Sequence, residues 1–212
     1  MENGTGSIAD YLPIGDYAIV GDCHTIALIA RDGSIDWFCP ERFDGPAVFC
    51  RLLDARKGGT FRVGPAGRFS SERRYKDATN VLETTFTTAT GRARLTDLMP
   101  IYQRTRGERG YDVGTFHRII RLVEGLDGDV DLEISFKPTF GYALTETGVQ
   151  RAPGGAVAQA DGQFLTLACP GVELEPDGSG ALRGRLCIGQ GERRWIVVSH
   201  AHDERAAREA LA

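Results

Sequence analysis

Thr25-Ile-Ala-Leu-Ile-Ala-Arg-Asp-Gly-Ser-Ile-Asp-Trp-Phe-Cys39 decides the fold class. Two apolar runs, Thr25–Arg31 and Ser34–Cys39, flank Asp32-Gly33. Asp-Gly between apolar runs is the strongest short-range hairpin signal, because a type I′ turn needs positive φ at both central positions. Asp161-Gly162 repeats the device between Ala156–Ala160 and Gln163–Cys169, and Thr90-Gly91 separates Val81–Thr88 from Arg92–Met99.

Outward from these turns the chain reads as strands. Val130, Leu132, Ile134 and Phe136 alternate with Asp129, Asp131, Glu133, Ser135 and Lys137, which is a period-2 strand with one wet face. Phe116–Glu124 reads as its hairpin partner through Gly125-Leu-Asp-Gly128. Further strands are expected at Val172–Leu174, Leu182–Ile188 and Arg194–Ser199. About a dozen short runs at this spacing predict an all-β chain, a large antiparallel β-sandwich. Helical signal is confined to two places. Pro46–Asp54 has Pro near its start and Gly58-Gly59 after its end, which predicts one short helix. Glu204–Ala212, with Asp203 as N-cap, reads as the start of a linker helix. A helix that short is marginal in water, so the native product is expected to continue beyond Ala212. The polar, Gly-rich Gln103–Gly114 segment reads as a mobile loop. The division is therefore a sandwich over 1–203 and a linker helix from 204 to 212.

Composition narrows the partners. The chain has 212 residues and a formal net charge of −4, and its arginines are scattered, so no basic stripe for nucleic acid is expected. There is no apolar run long enough for a membrane helix. The first residues, Met-Glu-Asn-Gly-Thr-Gly-Ser, lack the basic and apolar regions of a secretory leader. Five dispersed cysteines (Cys23, Cys39, Cys50, Cys169 and Cys187) form no CxxC and read as reduced thiols of a cytoplasmic protein. Cys169 and Cys187 lie in apolar runs and read as core.

Four groups of residues were candidates for chemistry. His200-Ala-His202-Asp203 ends an apolar strand, as metal ligands do in the metallo-β-lactamase signature. Here the Asp directly follows the second His, the third His is missing, and only ten residues of the given sequence follow His202, so no further ligands are expected from it. The favoured reading is a strand end with a helix N-terminus, and no metal or other cofactor is expected. Gly15–Gly21 matches no phosphate-loop spacing. Cys23-His24 are neighbours pointing to opposite strand faces, which suits no nucleophile–base pair. Asp36, Glu41 and Asp44 flank Trp37 in one stretch. Carboxylates beside an exposed aromatic suit sugar binding, and a capped turn at Asp44-Gly45-Pro46 explains the same residues.

The quoted stretch, extended from Ile8-Ala-Asp-Tyr to Pro40-Glu-Arg-Phe-Asp-Gly-Pro46, resembles the N-terminal domain of glycoside hydrolase family 15 trehalases and glucoamylase-like proteins. Arg73-Arg-Tyr…Thr79-Asn-Val-Leu-Glu-Thr, Leu95-Thr-Asp-Leu-Met-Pro100 and Arg121-Leu-Val-Glu-Gly-Leu follow in the same order. The resemblance implies a sandwich of the supersandwich type, a helical linker and an (α/α)6 barrel. It implies inverting hydrolysis of an α-glucosidic bond by two Glu residues of that barrel. No position here matches them, so no catalytic residue is expected in this chain. By resemblance, Trp37, Arg42, Phe43 and Asp44 form a sugar-facing or interdomain loop. Glu41 and Gly45 depart from the family pattern, which commonly has a small or apolar residue and Ser there. The expected partners are the barrel and an α-glucoside such as trehalose or maltose. If the barrel is absent, its uncovered face makes homo-oligomers an expectation. The alternative is a free-standing carbohydrate-binding β-sandwich module.

Overall fold

The computed structural model describes residues 11–105 and 111–211. Residues 8–10 of the opening block and 106–110 of the Gly-rich segment lie outside the described residues, as do the first seven residues and Ala212. The chain order is β1 (Tyr17–Gly21), β2 (Ile26–Ala30), β3 (Ser34–Phe38), β4 (Thr60–Pro65), β5 (Ser70–Tyr75), β6 (Leu82–Thr87), β7 (Gly91–Leu98), β8 (Ile101–Thr105), β9 (Tyr111–Thr115), β10 (Arg118–Lys137), β11 (Gly148–Ala152), β12 (Gly155–Ala160), β13 (Gln163–Ala168), β14 (Glu175–Pro176), β15 (Leu182–Gly189), β16 (Arg193–Ala201) and α1 (Glu204–Glu209). The fold is the expected all-β sandwich.

Both Asp-Gly pairs close hairpins, but only Asp161-Gly162, with Asp161 at φ +48°, has positive φ at both central positions; at Asp32-Gly33 only the glycine does, and the hairpin there carries a register shift between Leu28 and Ile29. Gly33 and Gly162 have φ of +81° and +74°. β2 pairs with β3 around the first, and β12 with β13 around the second. β6 and β7 pair across the Thr90-Gly91 turn.

The 20-residue β10 joins the two layers and corrects the expected hairpin at Gly125–Gly128. Arg118–Glu124 pairs with β16 on one side and β7 on the other. Asp129–Lys137 pairs with β15 and β4. One layer is thus β1-β2-β3-β4-β10-β15-β14 and the other β5-β6-β7-β10-β16-β13-β12-β11, with every pairing antiparallel. Between them lies a bulge at Gly125/Asp127, with Gly128 at φ +56°. Bulges bend a strand and increase its twist, which lets one strand change layer. Both halves find ladders on both sides elsewhere, so they do not fold onto each other. The dry face of the second half is as alternation predicts, with Val130, Leu132, Ile134 and Phe136 all buried, whereas Ser135 of the expected wet face is buried as well. A Cβ on Gly125 would lie 2.0 Å from the Gly189 carbonyl oxygen. Gly125→Ala is therefore expected to cost about 1–3 kcal/mol, the usual range for forced overpacking. Chemical denaturation measures it, and an unchanged midpoint would refute the close approach.

Three further expectations change. Pro46–Asp54 is not helical. Ala47, Val48, Phe49 and Cys50 are all buried, whereas a surface helix buries one stripe. Instead Phe38 donates to the Phe49 carbonyl at 2.9 Å, and Val48 donates to the Phe38 carbonyl at 2.9 Å. The Gln103–Gly114 segment is mostly a hairpin, β8 with β9, in a separate two-stranded sheet. The expected strand at Val172–Leu174 is replaced by the short β14. The Asp203 cap holds: its carboxylate accepts from Ala206 N at 2.7 Å, and Ala207 of α1 is buried with Phe164 and Ala201.

A charged pair sits inside the apolar core. Arg121 and Asp97 both have fully buried side chains, with Nε to Oδ1 at 2.7 Å. The guanidinium also donates to the Gly33 carbonyl at 2.7 Å and lies 5.0 Å over the Phe61 ring. Asp97 is on β7, Arg121 on β10 and Gly33 in the first hairpin turn. Three of the blocks that carry the family resemblance therefore meet at one guanidinium.

Candidate functional site

β3 carries Trp37 into the loop 39–50, and the structure sorts the expected site residues into different roles. Asp36 is fully buried and structural. It accepts from Tyr17 Oη at 2.9 Å, Arg51 at 3.1 Å and Thr60 Oγ1 at 2.7 Å. Burial, reinforced by Asp36, pushes the Tyr17 phenol well above its usual range. Trp37 is half-buried rather than exposed. It packs on Cys39, Ala47 and Cys50, with its ring centroid 6.3 Å from that of Tyr142. Tyr142 in turn donates to the Gly45 carbonyl at 2.9 Å, which ties the loop 139–147 to the loop 39–50.

Arg42, Phe43 and Asp44 form the outer tip of that loop. Arg42 donates twice to Asp44, at 2.9 and 3.0 Å, and Phe43 is 69% exposed. This hydrogen-bonded pair holds the Asp44 carboxyl below its usual range. The loop therefore offers an exposed phenyl ring and a self-paired ion pair. The two carboxylates that sequence reading grouped around Trp37, Asp36 and Asp44, do not face a common space: one is buried and one is at the tip.

Sequence reasoning missed the company that Glu41 keeps. All four histidines of the chain come to this end of the sandwich. Phe43 N donates to the His24 carbonyl at 3.1 Å. His117, at φ +49°, places Nδ1 3.3 Å from the Pro40 carbonyl, and its own carbonyl accepts from His200 N at 3.0 Å. His200 and His202 sit two residues apart at the end of β16, so both imidazoles face the same side. Their rings lie 5.0 Å apart, and Glu41 Oε1 touches His202 Nε2 and stands 4.0 Å from His200 Nδ1. The ligand atoms of Glu41, His200 and His202 all fall within 4.8 Å of one another. The His200 side chain is 1% exposed, yet neither ring nitrogen has a hydrogen-bond partner among the described residues. Burial pulls its pKa down to about 4, so the ring is neutral at pH 7 and forms no ion pair with Glu41.

Thiol chemistry finds no support here. Cys39 is buried, and that burial pushes its thiol up to about 11. Cys169 is core, as expected, but Cys187 is exposed because the β15 alternation turns it outward. No helix among the described residues is long and apolar enough to cross a membrane.

A family profile described as "Trehalase-like, N-terminal" matches residues 7–183. Among curated relatives, the chain is 36% identical over 203 residues to a trehalase of Mycolicibacterium smegmatis, covering 88% of this chain. It is 37% identical over 161 residues to a trehalase of Mycobacterium tuberculosis and 31% identical over 166 to one of Thermoplasma volcanium, covering 70% and 76% of this chain. The matched regions span 30%, 24% and 25% of those relatives' own lengths.

Proposed function

The chain belongs to the trehalase-like N-terminal family, and from that premise we propose that it is the non-catalytic sandwich of a longer trehalose-hydrolysing α-glucosidase. The carrying observation is the partial span: relatives named trehalase align to 70–88% of this chain but are themselves three to four times longer than the aligned part. On this reading the sandwich occupies residues 1–203, and residues from 204 begin the linker to an (α/α)6 barrel of glycoside hydrolase family 15 type. The barrel supplies both carboxylates for inverting hydrolysis. The loop tip Arg42–Phe43–Asp44 faces the barrel beside its active-site mouth, while Trp37 braces the loop from within. The five unpaired cysteines fit a reducing compartment such as the cytoplasm.

The test is association between the purified chain and the separately produced remainder of the parent protein. A 1:1 complex is expected. Phe43→Ala is expected to weaken it by about 2 kcal/mol, as a buried aromatic anchor does. The same change should alter the stability of the chain by no more than about 0.5 kcal/mol, since the side chain is exposed here. Equal affinity for both forms would remove Phe43 from the interface.

A further inference from the structure

We propose that Glu41, His200 and His202 form a binding site for a divalent transition-metal ion of the zinc class, closing the loop 39–45 onto the end of β16. Nothing in the hydrolytic role above calls for such an ion, and the site stands on its own geometry.

Two imidazoles and one carboxylate are a donor set of zinc sites, often with an open fourth position. Magnesium and calcium prefer oxygen-only shells, so the two nitrogens select against them. The separations suit closure. Tetrahedral ligand atoms about 2.0–2.2 Å from a zinc ion lie roughly 3.3–3.6 Å apart. The three donors here already converge within 4.8 Å. The remaining movement is of order an ångström, and the two mobile ligands can make it: Glu41 and His202 have side chains 42% and 65% exposed, while His200 is fixed.

The second observation is the orphaned ring of His200. A buried polar group without a partner costs about 1–3 kcal/mol, and native structures rarely leave both nitrogens of a buried imidazole unpaired. Its environment from each packed element is accounted for. β13 presents Leu165 opposite it, β10 and the residues before it present His117, and the loop 39–50 presents Glu41. None of these gives its ring nitrogens a hydrogen bond. An ion bound between Glu41 and the two rings satisfies one of them. It also explains why a carboxylate is held against two histidines about 160 positions away in sequence, and the backbone at Pro40 places His117 beside the same group.

The test is titration of the metal-stripped chain with Co2+ and Zn2+. One equivalent of Co2+ is expected to give the visible absorption of a nitrogen- and oxygen-ligated tetrahedral or five-coordinate ion. Zn2+ should displace it and raise the melting temperature, and Mg2+ should do neither. Glu41→Gln and His202→Ala alter exposed side chains and leave the fold intact, so they keep the test clean where His200→Ala destabilises the core. Each is expected to weaken Co2+ binding at least about tenfold, the lower range for losing even a supporting group of a metal site. His24→Ala should leave binding unchanged. No stoichiometric Co2+ spectrum, or equal affinity in Glu41→Gln, His202→Ala and the parent chain, overturns the site.

Discussion

Asp97→Ala is expected to cost about 3–5 kcal/mol of folding stability, the range seen when one member of a buried ion pair is removed. The loss of attraction between the charges is the smaller part. The larger part is the guanidinium of Arg121, left with no exposed surface and no counter-charge. Its bonds to the Gly33 and Phe61 carbonyls, at 2.7 and 3.4 Å, satisfy donors but do not neutralise the charge. A double variant in which Asp97 and Arg121 are both replaced by apolar residues of similar volume is expected to regain most of the loss. Urea unfolding of the single and double variants measures both. If Asp97→Ala costs less than about 1 kcal/mol, the pair is screened and its apparent burial is wrong.

Phe49→Ala is expected to cost a similar amount, about 3–5 kcal/mol. Phe49 is fully buried and lies at the centre of an aromatic cluster. Its ring centroid is 6.4 Å from Phe38, 6.3 Å from Phe61 and 6.3 Å from Phe136. These neighbours belong to β3, β4 and β10, so the cavity left by truncation has rigid walls and collapses little. The effect reaches the candidate site as well. The backbone of Phe49 forms the one isolated β-bridge between the loop 39–50 and β3 among the described residues. Ala keeps those backbone groups but removes the ring packing that seats them, which should loosen the loop that carries Glu41 and Phe43. Hydrogen exchange at residues 41–45 should rise more than at β13, which lies in the other layer. Uniform exchange across both would mean the loop is held by its other contacts.

The sandwich was legible because turn chemistry and alternation are local. Gly33 and Asp161-Gly162 take positive φ, and the period-2 run from Val130 to Phe136 buries its apolar side chains on one face. What misled was partner choice. Gly125–Gly128 has the composition of a turn, but nothing in it reveals that β7 and β16 flank one half of β10 while β4 and β15 flank the other. Pro46–Asp54 has helix punctuation, but its four consecutive buried residues follow from the bridge to Phe38, which is tertiary. The site was partly legible. Trp37, Arg42, Phe43 and Asp44 were recognisable as one loop, and the spacing of His200 and His202 put both on one face. Glu41 was invisible as their partner because sequence separation hides a contact between the loop after β3 and the end of β16.

The most direct measurement is glucose release from trehalose by the purified 212-residue chain beside the whole protein that contains it. The whole protein should turn over trehalose, and the chain alone should release no more glucose than a buffer blank at any pH. Release by the isolated chain, at a rate lowered by substitution of its own carboxylates, would contradict a non-catalytic sandwich and place the chemistry in these residues.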